Sequence, residues 1–149
     1  MRLNFMKWIC LLVLFTVIAG ISIYSQTSYS RKAGDIELLA RVIRAEAEAE
    51  PYIGQVAVGA VILNRIQSSD FPNTLAGVVY QPRAFESVSN GMVNRPPTES
   101  ANKAANAALS GWDPSGGALF FFNPAKVGAK SYVWTRNIIQ QIGEHVFAL

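Results

Sequence analysis

The chain has 149 residues, 50% of them hydrophobic and 15% charged, with one cysteine, one histidine and a formal net charge of +3. That length suits one domain with a core of its own, and the apolar content excludes a disordered chain. Cys10 alone excludes an internal disulfide and a Cys-rich zinc site, and His145 alone excludes the usual multi-histidine metal sites. The positive charge is local: Arg2, Lys7, Arg31 and Lys32 stand in a stretch without acids. From Asp35 onward nine Lys and Arg face ten Asp and Glu, a balance that argues against nucleic acid as a partner.

In chain order, Arg2 and Lys7 precede an almost unbroken apolar run over 8–24. That is the layout of a secretory signal, with a run long for a signal and short for a comfortable membrane span. Residues 1–25 are therefore read as a cleaved signal peptide or an N-terminal membrane anchor. Both readings put the remainder outside the cytoplasmic membrane, secreted or anchored through 8–24. Residues 26–34 are polar and read as a linker, after which Asp35 is a fair N-cap for a domain over 35–149.

Ile36, Leu39, Ala40, Ile43 and Ala47 recur at helical spacing, and Pro51 ends that helix at or before Glu50. A second helix over 53–66 is apolar nearly all round, as a helix at the centre of a domain is. Residues 68–73 read as loop, 74–80 as one short helix, and 81–97, with three prolines, as loop or irregular hairpin. An alanine-rich helix over 99–110 stops at Gly111. Gly116-Gly117 opens an aromatic strand over 118–122, closed by Asn123-Pro124. Residues 132–135 are a second strand candidate, 137–141 read as helical, and 143–149 fit either state. The expected class is α+β, mainly helical with a small β element.

Chemistry is narrowed by exclusion. There is no G-x-S-x-G elbow, no P-loop and no G-x-G-x-x-G. Cys10 lies in the apolar run, so thiol catalysis is excluded. Carboxylate chemistry remains, and it requires only Asp or Glu in tuned surroundings. On an ideal helix Glu46 lies about 20° from Leu39, about 60° from Ile43 and about 80° from Ile36, on the apolar face. Glu48 faces the other way. Desolvation of such a glutamate favours its protonated form, the form that protonates a glycosidic oxygen. The plain alternative is a solvated helix-end acid paired with Arg65 or Arg136. Tyr52, Tyr80, Phe85, Trp112, Tyr132 and Trp134 stand beside polar, Gly or Pro residues and are candidates to line a carbohydrate cleft.

The ordered blocks resemble a known family. Leu38-Leu39-Ala40-Arg41, Ala45-Glu46-Ala47 and Glu50-Pro51-Tyr52 run into Gly54-Gln55-Val56-Ala57-Val58-Gly59-Ala60-Val61-Ile62-Leu63-Asn64-Arg65. Phe71-Pro72-Asn73-Thr74, Val79-Tyr80-Gln81-Pro82, Gly111-Trp112-Asp113-Pro114, Phe122-Asn123-Pro124 and His145-Val146-Phe147 follow. Over residues 37–149 this looks like the catalytic domain of the spore cortex-lytic enzymes, the SleB/CwlJ-type cell-wall hydrolases.

The resemblance implies a lysozyme-like, lytic-transglycosylase-type α+β fold with Glu46 as its one catalytic glutamate and no cofactor or metal. It implies cleavage of peptidoglycan between N-acetylmuramic acid and N-acetylglucosamine, with 1,6-anhydromuramic ends, in spore cortex lysis during germination or in wall turnover. Peptidoglycan is the implied partner, including cortex carrying muramic-δ-lactam, with room for a spore regulatory protein. Substrate-binding candidates are Tyr80, Gln81, Phe85, Asn64, Asn123 and Trp134, with Arg65 and Arg136 beside them. Two positions depart from the family pattern: Arg44, where a small polar residue is expected, and Glu48-Ala49, where something closer to Arg-Gly is expected. The competing reading is an exported peptidoglycan-binding or spore-structural module that does not cut.

Overall fold

The computed structural model describes the backbone of residues 2–149, and side chains except over 2–15, 22–24 and 27–31. Most of the apolar run 8–24 thus lies outside the residues whose side chains are described. Among the described residues no helix is long and apolar enough to cross a membrane. The chain forms two compact units, Met1–Gly34 and Asp35–Leu149. The first is helical. The second carries the core, the sheet and the cavity described below.

Helix α1 spans Arg2–Ala47. Residues 26–34, expected as a non-helical linker, have helical backbone, and Asp35 lies inside α1 and does not cap it. No proline interrupts that stretch, and one internal glycine, Gly34, costs a helix only about 1 kcal/mol. The far end of α1 is sharper. Helical backbone is disfavoured at Glu50 because Pro51 follows; a turn over 48–50 intervenes, and helix α2 starts at Tyr52.

Helix α2 spans Tyr52–Gln67 and is buried without a break from Gly54 to Ile62. Gly59 permits this: a Cβ there would lie 2.9 Å from Ile43 Cδ1 and 3.2 Å from Ala108 Cβ. Short helix α3, Leu75–Val79, is capped by the Thr74 hydroxyl, which accepts from the Gly77 amide. The segment expected as loop or hairpin winds further than predicted, into helix α4, Glu86–Ser89, and a 3-10 turn, Met92–Asn94. Helix α5, Glu99–Leu109, is capped by Thr98 and turns Ala101, Ala104, Ala105 and Ala108 inward. These alanines pack with Leu39, Val42 and Ile43 of α1, Val56 and Ile62 of α2, and Val78 and Val79 of α3. A second apolar group joins Ala47, Ala57, Val58 and Val61 to Ala118 and Phe147, and so seats the sheet on α2.

The sheet has strands β1 (Phe120–Phe122), β2 (Ile138–Ile142) and β3 (His145–Ala148), in the order β1-β3-β2. Both pairings are antiparallel, with Phe121 opposite Phe147 and Ile142 opposite His145. The sequence expectation fails twice here. Residues 132–135 form a 3-10 turn, Tyr132–Thr135, and not a strand. Of residues 137–141, read as helical, all but Asn137 belong to strand β2. Five residues are too few for a stable isolated helix, whereas Ile138, Gln140, Gln141 and Ile142 gain ladder partners on buried β3, with Ile139 at a bulge between them.

Arg65 fixes the sheet to α2. Its buried guanidinium donates through Nε to the Leu119 carbonyl at 2.7 Å and lies 5.3 Å from the Phe71 and Phe85 ring centres.

Candidate active site

Glu46 projects from the last turn of α1, where the unpaired carbonyls disfavour added negative charge. It lines a cavity of about 630 Å³ bounded by α4 and the turn after it, by the end of β1 with the loop that follows, and by the start of β3. Burial pushes the Glu46 carboxyl above the ordinary carboxylate range. Ser87 on α4 opposes this through its hydroxyl and amide; Glu86 adds to it, and Lys126 counters it. Glu46 Oε1 and Ser87 Oγ are both sealed from solvent, and neither closes a hydrogen bond. Desolvation of this kind favours the protonated form of the carboxyl. That is the condition for a general acid.

Asn123 is the other predicted residue that the fold brings to this cavity. It is buried, donates through Nδ2 to Glu144 Oε2 at 2.9 Å, and accepts the Ala125 amide at 2.8 Å. Trp134 stands one ring away, edge-on to cavity-lining Phe122 at 5.0 Å, with Nε1 donating to the Gly128 carbonyl.

The remaining predicted binding residues lie elsewhere. Phe85 is buried in the core against Phe121 and Arg65. Tyr80 is exposed at the end of α3, and Gln81 opens the turn after it; neither lines the cavity. Asn64 is spent on structure, donating through Nδ2 to Asp113 Oδ2 at 2.9 Å and to the Ala118 carbonyl at 3.1 Å. It borders a separate hollow of about 450 Å³ between α2 and the end of α5. The rings that do line the Glu46 cavity are Phe121, Phe122 and His145. Phe121 and Phe122 come from the aromatic strand expected over 118–122; the aromatic candidates chosen by polar neighbours are not among these three rings.

The two departures from the family pattern meet each other. Arg44 Nε lies 3.2 Å from Glu48 Oε1, and the Arg44 guanidinium also donates to the Pro96 carbonyl. Arg95 approaches Glu48 at 4.0 Å. Neither Arg44 nor Glu48 lines the cavity.

Glu86, Ser87, Lys126 and His145 are the cavity residues that the sequence did not single out. Ser87 and Glu86 fall in a segment expected as loop or irregular hairpin, and His145 in the stretch 143–149 that fits either state. Glu50, one turn beyond Glu46, is buried: its Oε2 accepts the Glu144 amide at 2.9 Å and its Oε1 lies 3.5 Å from His145 Nδ1. Among the described residues no group of three or more His, Cys, Asp or Glu gathers to hold a metal.

Residues 49–148 match the family described as Cell Wall Hydrolase. Over 113 residues the chain is 50% identical to the spore cortex-lytic enzyme of Bacillus cereus, a match covering 76% of this chain and 43% of that protein. The chain thus spans less than half the length of that curated relative. The crystal structure of the catalytic domain of the Bacillus cereus SleB protein superposes with a TM-score of 0.72 at 50% identity, covering 77% of this chain and 89% of that one. The catalytic domain of the germination-specific lytic transglycosylase SleB from Bacillus anthracis gives a TM-score of 0.73 at 49% identity, over 77% and 93% of the two chains. The lysozyme-like α+β class expected from the sequence agrees with these superpositions.

Proposed function

We propose that this chain, which belongs to the cell wall hydrolase family, cleaves the glycan strands of peptidoglycan between N-acetylmuramic acid and N-acetylglucosamine, with Glu46 as general acid. The observation that carries the reading is Glu46 itself: a half-buried carboxyl lining the cavity, its pKa raised by desolvation and its Oε1 without a hydrogen bond. It gives its proton to the departing glycosidic oxygen as positive charge develops on the muramyl ring. The muramyl 6-hydroxyl then closes on the anomeric carbon and leaves a 1,6-anhydro end. The relative from Bacillus anthracis is named a lytic transglycosylase, which supports this outcome over release by water.

The substrate is spore cortex, including glycan that carries muramic-δ-lactam, and the setting is germination; the support is the naming of the relatives. The segment 8–24 delivers the domain outside the cytoplasmic membrane, as a cleaved signal or an anchor; the supporting observation is the basic n-region and apolar run. Asn123 and Trp134 are the predicted binding residues best placed to meet glycan.

The test is clearance of a peptidoglycan suspension by the wild-type chain beside Glu46→Gln. Clearance by the wild type alone, with both proteins folded, is the expected result. Equal clearance by the variant removes Glu46 from the chemistry. Binding without clearance by either returns the chain to the class of wall-binding modules.

A further inference from the structure

Tyr52 and Trp112, two of the aromatics singled out from the sequence, meet outside the Glu46 cavity, which neither of them lines. Their ring centres are 6.1 Å apart with an interplanar angle of 51°, and the residues are 42% and 46% exposed. Exposed rings in a group are characteristic of binding surfaces, unlike apolar residues exposed singly. The turn that carries Trp112 is fixed. Asp113 Oδ1 accepts the Ser115 amide at 2.8 Å, its Oδ2 accepts the Gly117 amide at 2.9 Å, and the Trp112 amide donates to the Ala107 carbonyl. A ring held in place loses little freedom when a ligand settles on it.

Gly111 and Asp113, on either side of Trp112, line the hollow of about 450 Å³ between α2 and the end of α5. That volume is in the range of small-ligand sites. No residue lines both this hollow and the Glu46 cavity. Its wall is apolar at Leu63, Ile66 and Leu109, and two amides interrupt it, those of Asn64 and Gln67. Asn64 spends its Nδ2 on Asp113 and Ala118, but its Oδ1 accepts no hydrogen bond and is not sealed from solvent. Gln67 is exposed, and among the described residues its amide has no hydrogen-bond partner.

An acetamido group matches these features in turn. Its methyl suits the apolar wall, its N–H needs an acceptor such as Asn64 Oδ1, and its carbonyl needs a donor such as Gln67 Nε2. The sugar ring that carries it has an apolar C–H face, which suits an exposed indole.

We propose that this hollow, with the Tyr52–Trp112 pair beside it, is a second glycan site that takes an N-acetylated sugar of the wall polymer. The choice of ligand rests on the peptidoglycan reading of the chain. Holding one part of a strand raises the effective concentration of the rest at Glu46. The second site therefore acts on KM for the polymer and not on kcat.

The experiment labels the full chain, in detergent micelles, with fluorotryptophan. The three tryptophans give three fluorine signals, identified by substituting each in turn by Phe. Chitotetraose, an oligomer of N-acetylglucosamine, should shift the Trp112 signal in Glu46→Gln, a background without turnover. Cellotetraose, which lacks acetamido groups, should not. Leu109→Arg, which crowds the hollow from a partly exposed position, should abolish the shift, and Gln67→Ala should weaken it. Thermal melts establish folding; Gln67→Ala decides where Leu109→Arg does not fold. On insoluble peptidoglycan, Trp112→Ala should raise KM roughly tenfold with kcat unchanged, as truncation of an aromatic anchor does. Trp112→Phe should recover most of that loss.

A Trp112 signal that does not move with millimolar chitotetraose overturns the proposal. An equal shift with cellotetraose overturns it by removing the acetamido group from recognition. A shift that survives in folded Leu109→Arg and Gln67→Ala overturns it by placing the ligand elsewhere, and so does an unchanged KM in folded Trp112→Ala. An active Glu46→Gln overturns the cleavage reading and leaves the fluorine signals to judge the second site by themselves. An inactive Glu46→Gln with an unmoved Trp112 signal overturns this proposal alone.

Discussion

Gly143→Ala tests the seating of Glu50 against the turn between β2 and β3. Gly143 has φ of +60°, a left-handed conformation that costs alanine about 1 kcal/mol. The added Cβ would collide with Glu50 Oε2 and lie 2.8 Å from Pro51 Cδ. The proline ring cannot yield, so Glu50 must swing away and give up the Glu144 amide. Loss of a hydrogen bond to a buried carboxylate costs about 2–3 kcal/mol. The two effects sum to about 3–4 kcal/mol, and at about 4 °C per kcal/mol for a unit of this size the midpoint should drop about 12–16 °C. Gly117→Ala is the control: its φ is +82° but nothing lies within 4 Å of the new Cβ, so only the backbone cost of about 1 kcal/mol and a drop of about 4 °C apply. Melting of the full chain in detergent micelles, followed by circular dichroism, reads both. Equal midpoints for the two variants would refute the placement of Glu50 beneath the turn.

Three further outcomes follow from the same contacts. Glu46 has a folded pKa above its unfolded value of 4.5, so its contribution is lost as pH rises through the folded pKa. Glu46→Gln should therefore melt higher than wild type near pH 8 and lose that advantage below pH 4.5, as paired melts would show. Burial pulls Asp113 upward, but hydrogen bonds from the Ser115 hydroxyl, the Asn64 amide and the Gly117 and Ser115 backbone hold it below its usual 3.8. Asp113→Ala should cost about 3 kcal/mol at neutral pH, since several charge-assisted bonds go together. That difference should shrink as pH falls through the lowered folded pKa. Arg65→Ala should cost about 3 kcal/mol in chemical denaturation, because the Leu119 carbonyl loses its partner and three phenylalanine rings lose a cation.

What the sequence disclosed followed from local physics. The apolar stripe Ile36, Leu39, Ile43 is a property of one helix, and it aimed Glu46 at the core before any neighbour was known. Helix α2 was legible because an all-round apolar helix has nowhere to go but the centre. The C-terminal hairpin was not, because β2 gains its strand conformation only from β3, and β3 gains its burial from α2 and β1. A glycine at position 143 between two short apolar runs was the one local signal for that hairpin. The Glu50–His145 pair joins residues about 95 positions apart through that same sheet, and no spacing along the chain reports it. The cavity wall was hard to read for a related reason: polar neighbours in sequence mark turns, whereas the wall draws on the end of β1 and the start of β3.

The most direct test of the account compares the wild-type chain with Glu46→Gln on purified spore cortex, with mass spectra of the released fragments. The account predicts muropeptides lighter by one water than hydrolysed ones, from the wild type alone. The same fragments released by a folded Glu46→Gln would contradict it.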